Sequence, residues 1–419
     1  MHVVYVDIVF KIDNIPSFFN VGLLVLMDSI SERLTENQLK MVQLVAEEDF
    51  IVTPWEVDGI VNYDKLIERF GTEPITPELL KRIEKYTGQL HFMLRRKLFF
   101  THRDMNWILD EYEKGNKFYL YTGRGPSDHT HIGHLVPWIF TKWLQDKFDV
   151  DFIFQMTDDE KFLFREELSR EQTKEFAYDN ALDVIALGFN PKKTQIIIDT
   201  ENAQTLYNIA LPISKHITFS TVKASFGFDN SANLGQIFYT CIQAAPAILK
   251  SVQAGKNIPC LIPHGVDQDP HFRVSRDVLP KLGYYKPASI QNKFIPSLLG
   301  PTGKMSASNP NSTIFVTDTP KQIKNKINKH AFSGGQPDVE THRKLGGNPD
   351  VDVSFQWLKI LFEPIDKKLE EIEHAYRNGD MLTGELKEIL IEKITKFLTH
   401  HQSEREKAKD KLEDFLIRD

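Results

Sequence analysis

Cysteine is nearly absent: Cys241 and Cys260 are the only two in 419 residues. Two thiols cannot build a disulfide framework. Neither lies in a CxxC pair or in a Cys/His cluster with zinc spacing, so a reducing compartment is expected. Long apolar runs are also missing. The longest, Ile15 to Met27, falls short of the roughly 20 residues a membrane helix needs, and no membrane partner is expected. It is a poor secretory segment, because Asp7 and Asp13 precede it and no small-residue cleavage site stands out. It is a poor mitochondrial one, because no arginine occurs before Arg33. An unpacked extension, with Met27 as an alternative start, is the plainer reading. Basic charge is not in excess: 51 Lys and Arg face 58 Asp and Glu, a net charge of −7. That excludes a broadly basic nucleic-acid coat but leaves room for a local basic face. There is no internal repeat.

The rest is ordinary globular material. Hydrophobic residues make up 41% and charged residues 26%, so disorder, collagen and coiled coil are excluded for the whole. The length suits two or three domains. Thr35-Glu-Asn-Gln38 is a capping box opening a short helix. Asp49 to Tyr63 reads as β-rich around a hairpin turn at Asp58-Gly59. Thr76-Pro77 opens a helix that puts Leu79, Leu80, Ile83 and Tyr86 on one face and stops at Gly88. Phe118–Thr122, Asp151–Met156, Thr194–Ile198 and Ile258–Ile262 read as buried strands. Helix-period segments such as Leu135–Phe148 and Thr173–Leu187 lie between them. This alternation predicts an α/β fold with a parallel, Rossmann-like sheet, whose ligands bind past the carboxyl ends of the strands. After residue 310 strands fade, and helices are expected over Pro320–Lys329, Val353–Phe362, Pro364–Tyr376 and from Leu382 to the end. The expected division is an N-terminal extension 1–47, an α/β domain 48–310 with a leading β-hairpin, and an all-α domain 311–419.

Two motifs suit phosphate. The first strand runs into Tyr121-Thr-Gly-Arg-Gly-Pro126, followed by His131-Ile-Gly-His134 and an apolar-periodic helix. Strand, glycine loop and helix N-terminus make a ready anion site. Gly133 lets a nucleotide base approach, and the two imidazoles can donate to phosphate oxygens. Histidines acting only as helix caps are the plain alternative. The second motif, Gly303-Lys304-Met305-Ser306-Ala307-Ser308, offers a lysine and two hydroxyls as a clamp on a leaving polyphosphate. By itself it could be a simple turn.

Together these motifs resemble the HIGH and KMSKS signatures of class I aminoacyl-tRNA synthetases, the second departing at Ala307, where the common pattern has lysine. FYLYTGRGP (118–126), HLVPWIFTKWLQD (134–146), QMTDDEK (155–161), IQAAP (242–246), IKNKINKHAFSGG (323–335) and MLTGELK (381–387) resemble the eukaryotic cytoplasmic tryptophanyl-tRNA synthetases. The likeness covers about residues 48 to 400. Residues 1–47 do not match the N-terminal helical hairpin domain that many of those enzymes carry.

The resemblance implies a ligase that activates L-tryptophan with ATP to the adenylate and pyrophosphate, then esterifies tRNA(Trp). No enzyme nucleophile is needed; positioning and charge stabilisation suffice. His131, His134, Lys304, Ser306 and Ser308 would be catalytic. Arg124, Gly125, Gly133 and Met305 would join His131, His134 and Lys304 around ATP. Mg²⁺ would sit on the phosphates, with no dedicated carboxylate cage. Tyr121 and Gln155, each with an acceptor oxygen, would read the indole N–H. Glu160, Gln243 and Gln268 would take the ammonium and carboxylate, and Phe272 would wall the ring. Lys387 and Arg276 would contact tRNA, and the helical domain would bind the anticodon. A cytoplasmic homodimer is implied. Clusters Lys321/Lys324/Lys326/Lys329 and Arg95/Arg96/Lys97 could be RNA contacts or plain solvated faces. A tyrosyl-tRNA synthetase is the nearest rival, although its phenol calls for a carboxylate rather than Gln155. A small nucleotidyltransferase and a non-catalytic synthetase-derived RNA-binding protein are the others.

Overall fold

The computed structural model describes residues 51–52, 57–58, 61–305 and 309–419. The expected helix after Thr35, the extension 1–47, Trp55, Ser306 and Ser308 lie outside them, as does the Lys304 side chain.

The strands are β1 (Ile51–Val52), β2 (Val57–Asp58), β3 (Glu73–Pro74), β4 (Phe99–Arg103), β5 (Tyr119–Arg124), β6 (Asp151–Met156), β7 (Thr194–Ile198), β8 (Cys260–Gly265), β9 (Ala288–Asn292), β10 (Pro296–Ser297) and β11 (Gly300–Lys304). The helices used below are α1 (Pro77–Thr87), α2 (Ile132–Phe148), α3 (Asp158–Phe164), α4 (Arg170–Ala186), α5 (Ala203–Ser214), α6 (Leu234–Ile242), α7 (Asp269–Val278), α8 (Pro320–His330), α9 (Val353–Trp357), α10 (Asp366–Arg377) and α11 (Thr383–Ala408). A π-helical turn, Leu358–Phe362, prolongs α9.

Seven strands form one sheet in the order β3-β4-β9-β8-β5-β6-β7. Strands β9, β8, β5, β6 and β7 run parallel, while β4 is antiparallel to β9 and β3 antiparallel to β4. The expected parallel, Rossmann-like sheet is present, and two antiparallel strands, β3 and β4, extend it at one edge. Phe99–Arg103 precedes β9 by most of the domain, and its run of buried residues does not reveal direction. From β5 the chain moves to β6 on one side and later to β8 on the other. That reversal opens a crevice at the carboxyl ends of β5 and β8.

Alternation along the strands divides the core. Leu120, Phe152, Phe154, Ile196 and Ile198 face one apolar layer, with α2, α4 and the C-terminal helices. Tyr119, Tyr121, Ile153, Ile197 and Ile262 face the other, which includes α5 and α7 residues. Strand residues point alternately to opposite faces, so a sheet covered on both sides is apolar throughout.

Helix α1 begins as read: the Thr76 hydroxyl accepts from the Leu79 N–H at 3.2 Å, and Gly88 closes it at φ 76°. The leading hairpin differs. Val52 pairs with Val57 and Ile51 with Asp58, so Asp58 is a strand residue rather than the head of the turn.

The helical segment is fastened to the sheet. Ile196 of β7 donates to the Phe415 carbonyl at 2.7 Å, and Ile417 donates back to Ile196 at 3.0 Å. This tail covers the open edge of β7. Arg95 and Arg96 both pair with Asp366 at 2.7 Å. Arg96 also donates to the Lys359 and Glu363 carbonyls, each at 2.7 Å. The two arginines are thus cross-braces to α10, neither RNA-facing nor simply solvated. Among the described residues, no helix is long and apolar enough to cross a membrane.

Candidate active site

The two phosphate motifs, 170 residues apart in sequence between His134 and Lys304, meet in space. His131 is the N-cap of α2, and its N–H donates to Nδ1 of His134 at 3.2 Å. The two rings stack with centroids 3.6 Å apart. The capping alternative is therefore real, but it leaves both imidazoles at the head of a helix, beside its positive end. Residues 313–316 run along this head: Ile132 donates to the Ile314 carbonyl at 3.1 Å, and Val316 to Thr130 at 2.9 Å. The Met305 sulfur lies against Gly133, 3.2 Å from where a β-carbon would stand. Gly133 is thus the close-approach point between the signatures. Lys304 ends β11, paired with Pro296.

Arg124 turns inward. Its guanidinium donates to Thr130 and Ser127 at 2.5 and 2.7 Å and to the His129 carbonyl at 3.0 Å. It lies 5.8 Å from the Trp138 ring. Burial pulls it down to about 10. In this conformation it shapes the loop between β5 and α2. Gly125 packs on Glu160, whose Oε2 lies 2.2 Å from an imagined β-carbon.

Tyr121 and Gln155 converge as expected, both fully buried. The Tyr121 hydroxyl lies 2.5 Å from Gln155 Oε1 and 3.0 Å from the Gln243 carbonyl, and accepts from Gln243 Nε2 at 2.9 Å. Burial holds the Tyr121 phenol well above its usual range. Gly123 pairs with Gln155 across β5 and β6; a β-carbon there would meet the Gln155 carbonyl at 2.8 Å. Phe272 meets Tyr121 edge-on at 5.9 Å. Gln268 stands half-buried at the N-cap of α7. Tyr121, Gln155, Glu160, Gln243, Gln268 and Phe272 therefore share the carboxyl-end crevice. Tyr239, which donates to Gln243 Oε1, was not anticipated.

The carboxylates at the head of α3 are not a solvated helix start. Asp158 is fully buried and accepts from the Thr200 N–H and hydroxyl at 3.0 and 2.5 Å. Glu160 accepts from the Thr157 hydroxyl at 3.2 Å. Burial and neighbouring acids push Asp159 up to about 7. Asp199 was also missed. It follows β7, is 3% exposed, and accepts from Gln155 Nε2 at 2.9 Å on both oxygens. The available signal was an acid closing the apolar run TQIII at a strand's carboxyl end. Among the described residues, no group of three or more His, Cys, Asp or Glu could hold a metal ion.

The expected RNA contacts lie elsewhere. Lys387 reaches the Asn328 carbonyl at 3.4 Å, and burial lowers its ammonium. Lys321 and Lys329 are exposed. Lys324 pairs with Glu388 at 3.0 Å and Lys326 with Asp318 at 2.6 Å. Arg276 is held by Asp104 and the Pro287 carbonyl at 2.7 and 2.6 Å.

Residues 113–399 match the profile of tRNA synthetases class I (W and Y). Similar curated proteins include the tryptophan–tRNA ligases of Sulfurisphaera tokodaii, 55% identical over 86% of this chain and 94% of that one, and of Pyrococcus furiosus, 51% identical over 88% and 94%. Among solved structures, the Plasmodium falciparum tryptophanyl-tRNA synthetase is 44% identical with a TM-score of 0.80, covering 85% of this chain and 97% of that one. The Giardia lamblia enzyme is 41% identical with a TM-score of 0.79, covering 85% and 96%.

Proposed function

Since this chain belongs to the class I tryptophanyl- and tyrosyl-tRNA synthetase family, within it to the tryptophan–tRNA ligases, we propose that the β5–β8 crevice is its tryptophan and ATP site. The reaction joins L-tryptophan to ATP with loss of pyrophosphate, then passes the tryptophanyl group to tRNA(Trp). The observation that carries the site is the convergence of Tyr121 and Gln155, beside a HIGH helix head that touches Met305.

In this reading the indole lies against Phe272, and its N–H, a donor only, meets Tyr121 and Gln155. Glu160, Gln243 and Gln268 hold the ammonium and carboxylate. Against this backdrop His131, His134 and Gly133 receive the ATP phosphates at the positive end of α2. Lys304, Ser306 and Ser308 follow the pyrophosphate as charge builds on it, where their stabilisation counts most. Gly125 lets the loop close on Glu160, and Arg124 holds that loop from within. Mg²⁺ would arrive on the phosphates, whose oxygens supply its ligands.

Residues 48–310 would serve as the catalytic domain and 311–419 as the anticodon-binding domain, with Lys387 and Arg276 near RNA. A cytoplasmic homodimer of the eukaryotic type is the finer reading. The quoted segments support that type; the high identity to archaeal ligases supports only a body common to both groups. Residues 1–47 are proposed as an extension outside this machinery.

Amino-acid-dependent exchange of labelled pyrophosphate into ATP tests the proposal. Exchange with tryptophan is expected. Exchange with tyrosine alone, or none from folded protein, would sink it. Lys304→Ala should lower the exchange rate far more than tryptophan affinity.

A further inference from the structure

We propose that Asp199 is a positioning residue that fixes which end of the Gln155 amide faces the amino-acid pocket, and so sets the preference for an N–H donor. The inference rests on the tryptophan-site reading above.

A primary amide has two faces of opposite character: its oxygen accepts and its nitrogen donates. Nothing in the Gln155 side chain itself selects between them. Its surroundings do. On one side the amide nitrogen lies 2.9 Å from both oxygens of Asp199. On the other, Oε1 faces the Tyr121 hydroxyl. A flipped amide would press its oxygen against the carboxyl and leave its N–H groups toward Tyr121 and the pocket. Gln155 is fully buried, so no water shell softens that mismatch, and unmatched buried polar atoms are costly.

Among the described residues, five groups face Asp199: Gln155, Asp159, Asp158, Tyr121 and Tyr239. Burial and the adjacent Asp159 hold its carboxyl well above the usual range, and the two acids hydrogen-bond each other. A proton carried by Asp199 is thereby directed to Asp159, and its lone pairs remain for Gln155. The backbone holds the arrangement: Asp199 N–H donates to the Met156 carbonyl at 3.1 Å, and Asp158 grips neighbouring Thr200. Asp199 itself lies one residue beyond the end of β7 and acts through Gln155.

The test compares L-tryptophan with 3-benzothienyl-L-alanine, in which sulfur replaces the indole N–H, in pyrophosphate exchange by the full-length enzyme. Asp199→Leu removes the acceptor at similar bulk. Asp199→Asn keeps one acceptor oxygen for Gln155 and offers its amide to Asp159. The expected result is that D199L lowers the tryptophan-to-analogue ratio of kcat/KM by about tenfold or more, mainly through KM for tryptophan. D199N should keep most of the wild-type ratio. A general structural defect would slow both substrates alike and leave the ratio unchanged. An unchanged ratio in D199L would overturn the inference, as would equal collapse in D199N. Should D199L fail to fold by circular dichroism, Asp199→Ala carries the same comparison with the same outcomes. Wild-type enzyme showing no preference for tryptophan would instead overturn the reading of Tyr121 and Gln155, and this inference with it.

Discussion

Glycine does as much as the charged groups in this crevice. At position 125 an added β-carbon would stand 2.2 Å from Glu160 Oε2, closer than any real contact. Gly125→Ala should therefore push Glu160 aside. Steady-state exchange should show KM for tryptophan rising about tenfold with a smaller change in kcat, the pattern for lost ground-state binding. An unchanged KM would mean that Glu160 does not hold the substrate. The roles of Tyr121 and Gln155 come from the family resemblance; in the residues themselves only Gln155 stands out, because a buried amide between apolar neighbours demands a partner. Asp199, signalled only as an acid closing the run TQIII, and Tyr239 went unread, because their roles arise from contact with Gln155 and Gln243 in the fold. Asp158 gives no sign of burial in the chain, since an acid heading a helix is common on surfaces; its packing against Thr200 shows it is interior.

Among the elements, those with regular periodicity or clear punctuation were legible. Strands Asp151–Met156 and Thr194–Ile198 agree with the residues that alternate between the two cores. Helix α1 agrees because Thr76, Pro77 and Gly88 mark both ends. Strands β4 and β9 went unread: pairing between residues about 190 apart leaves no local trace, and FFTHR has neither alternation nor turn flanks. Charge clusters misled for a related reason. Arg95 and Arg96 look alike in sequence, yet only Arg96 is enclosed, with its side chain 9% exposed against 38%. Arg96→Ala strips hydrogen bonds from Asp366 and two carbonyls. It should cost about 2 kcal/mol in denaturant unfolding. Arg95→Ala should cost less than about 1 kcal/mol, as exposed pairs do. Equal losses would contradict the cross-brace account.

For the molecule as a whole, the near-neutral, mildly acidic surface is informative. A chain of net charge −7 whose partner is a polyanion has to grip it with a few placed cations. Lys324 and Lys326 are already paired, leaving Lys321 and Lys329 exposed on α8. The sheet and its C-terminal helices are held together by the β7 tail and the Asp366 pairs, so the crevice and the helical segment share one framework. The central claim is that this framework selects tryptophan through Tyr121 and Gln155 and delivers it to RNA. The most direct measurement is charging of purified tRNA(Trp) by the full-length enzyme with labelled tryptophan and, in parallel, labelled tyrosine. The account predicts ATP-dependent formation of tryptophanyl-tRNA and negligible tyrosyl-tRNA. Comparable charging with tyrosine, or none with tryptophan from folded enzyme, would contradict it.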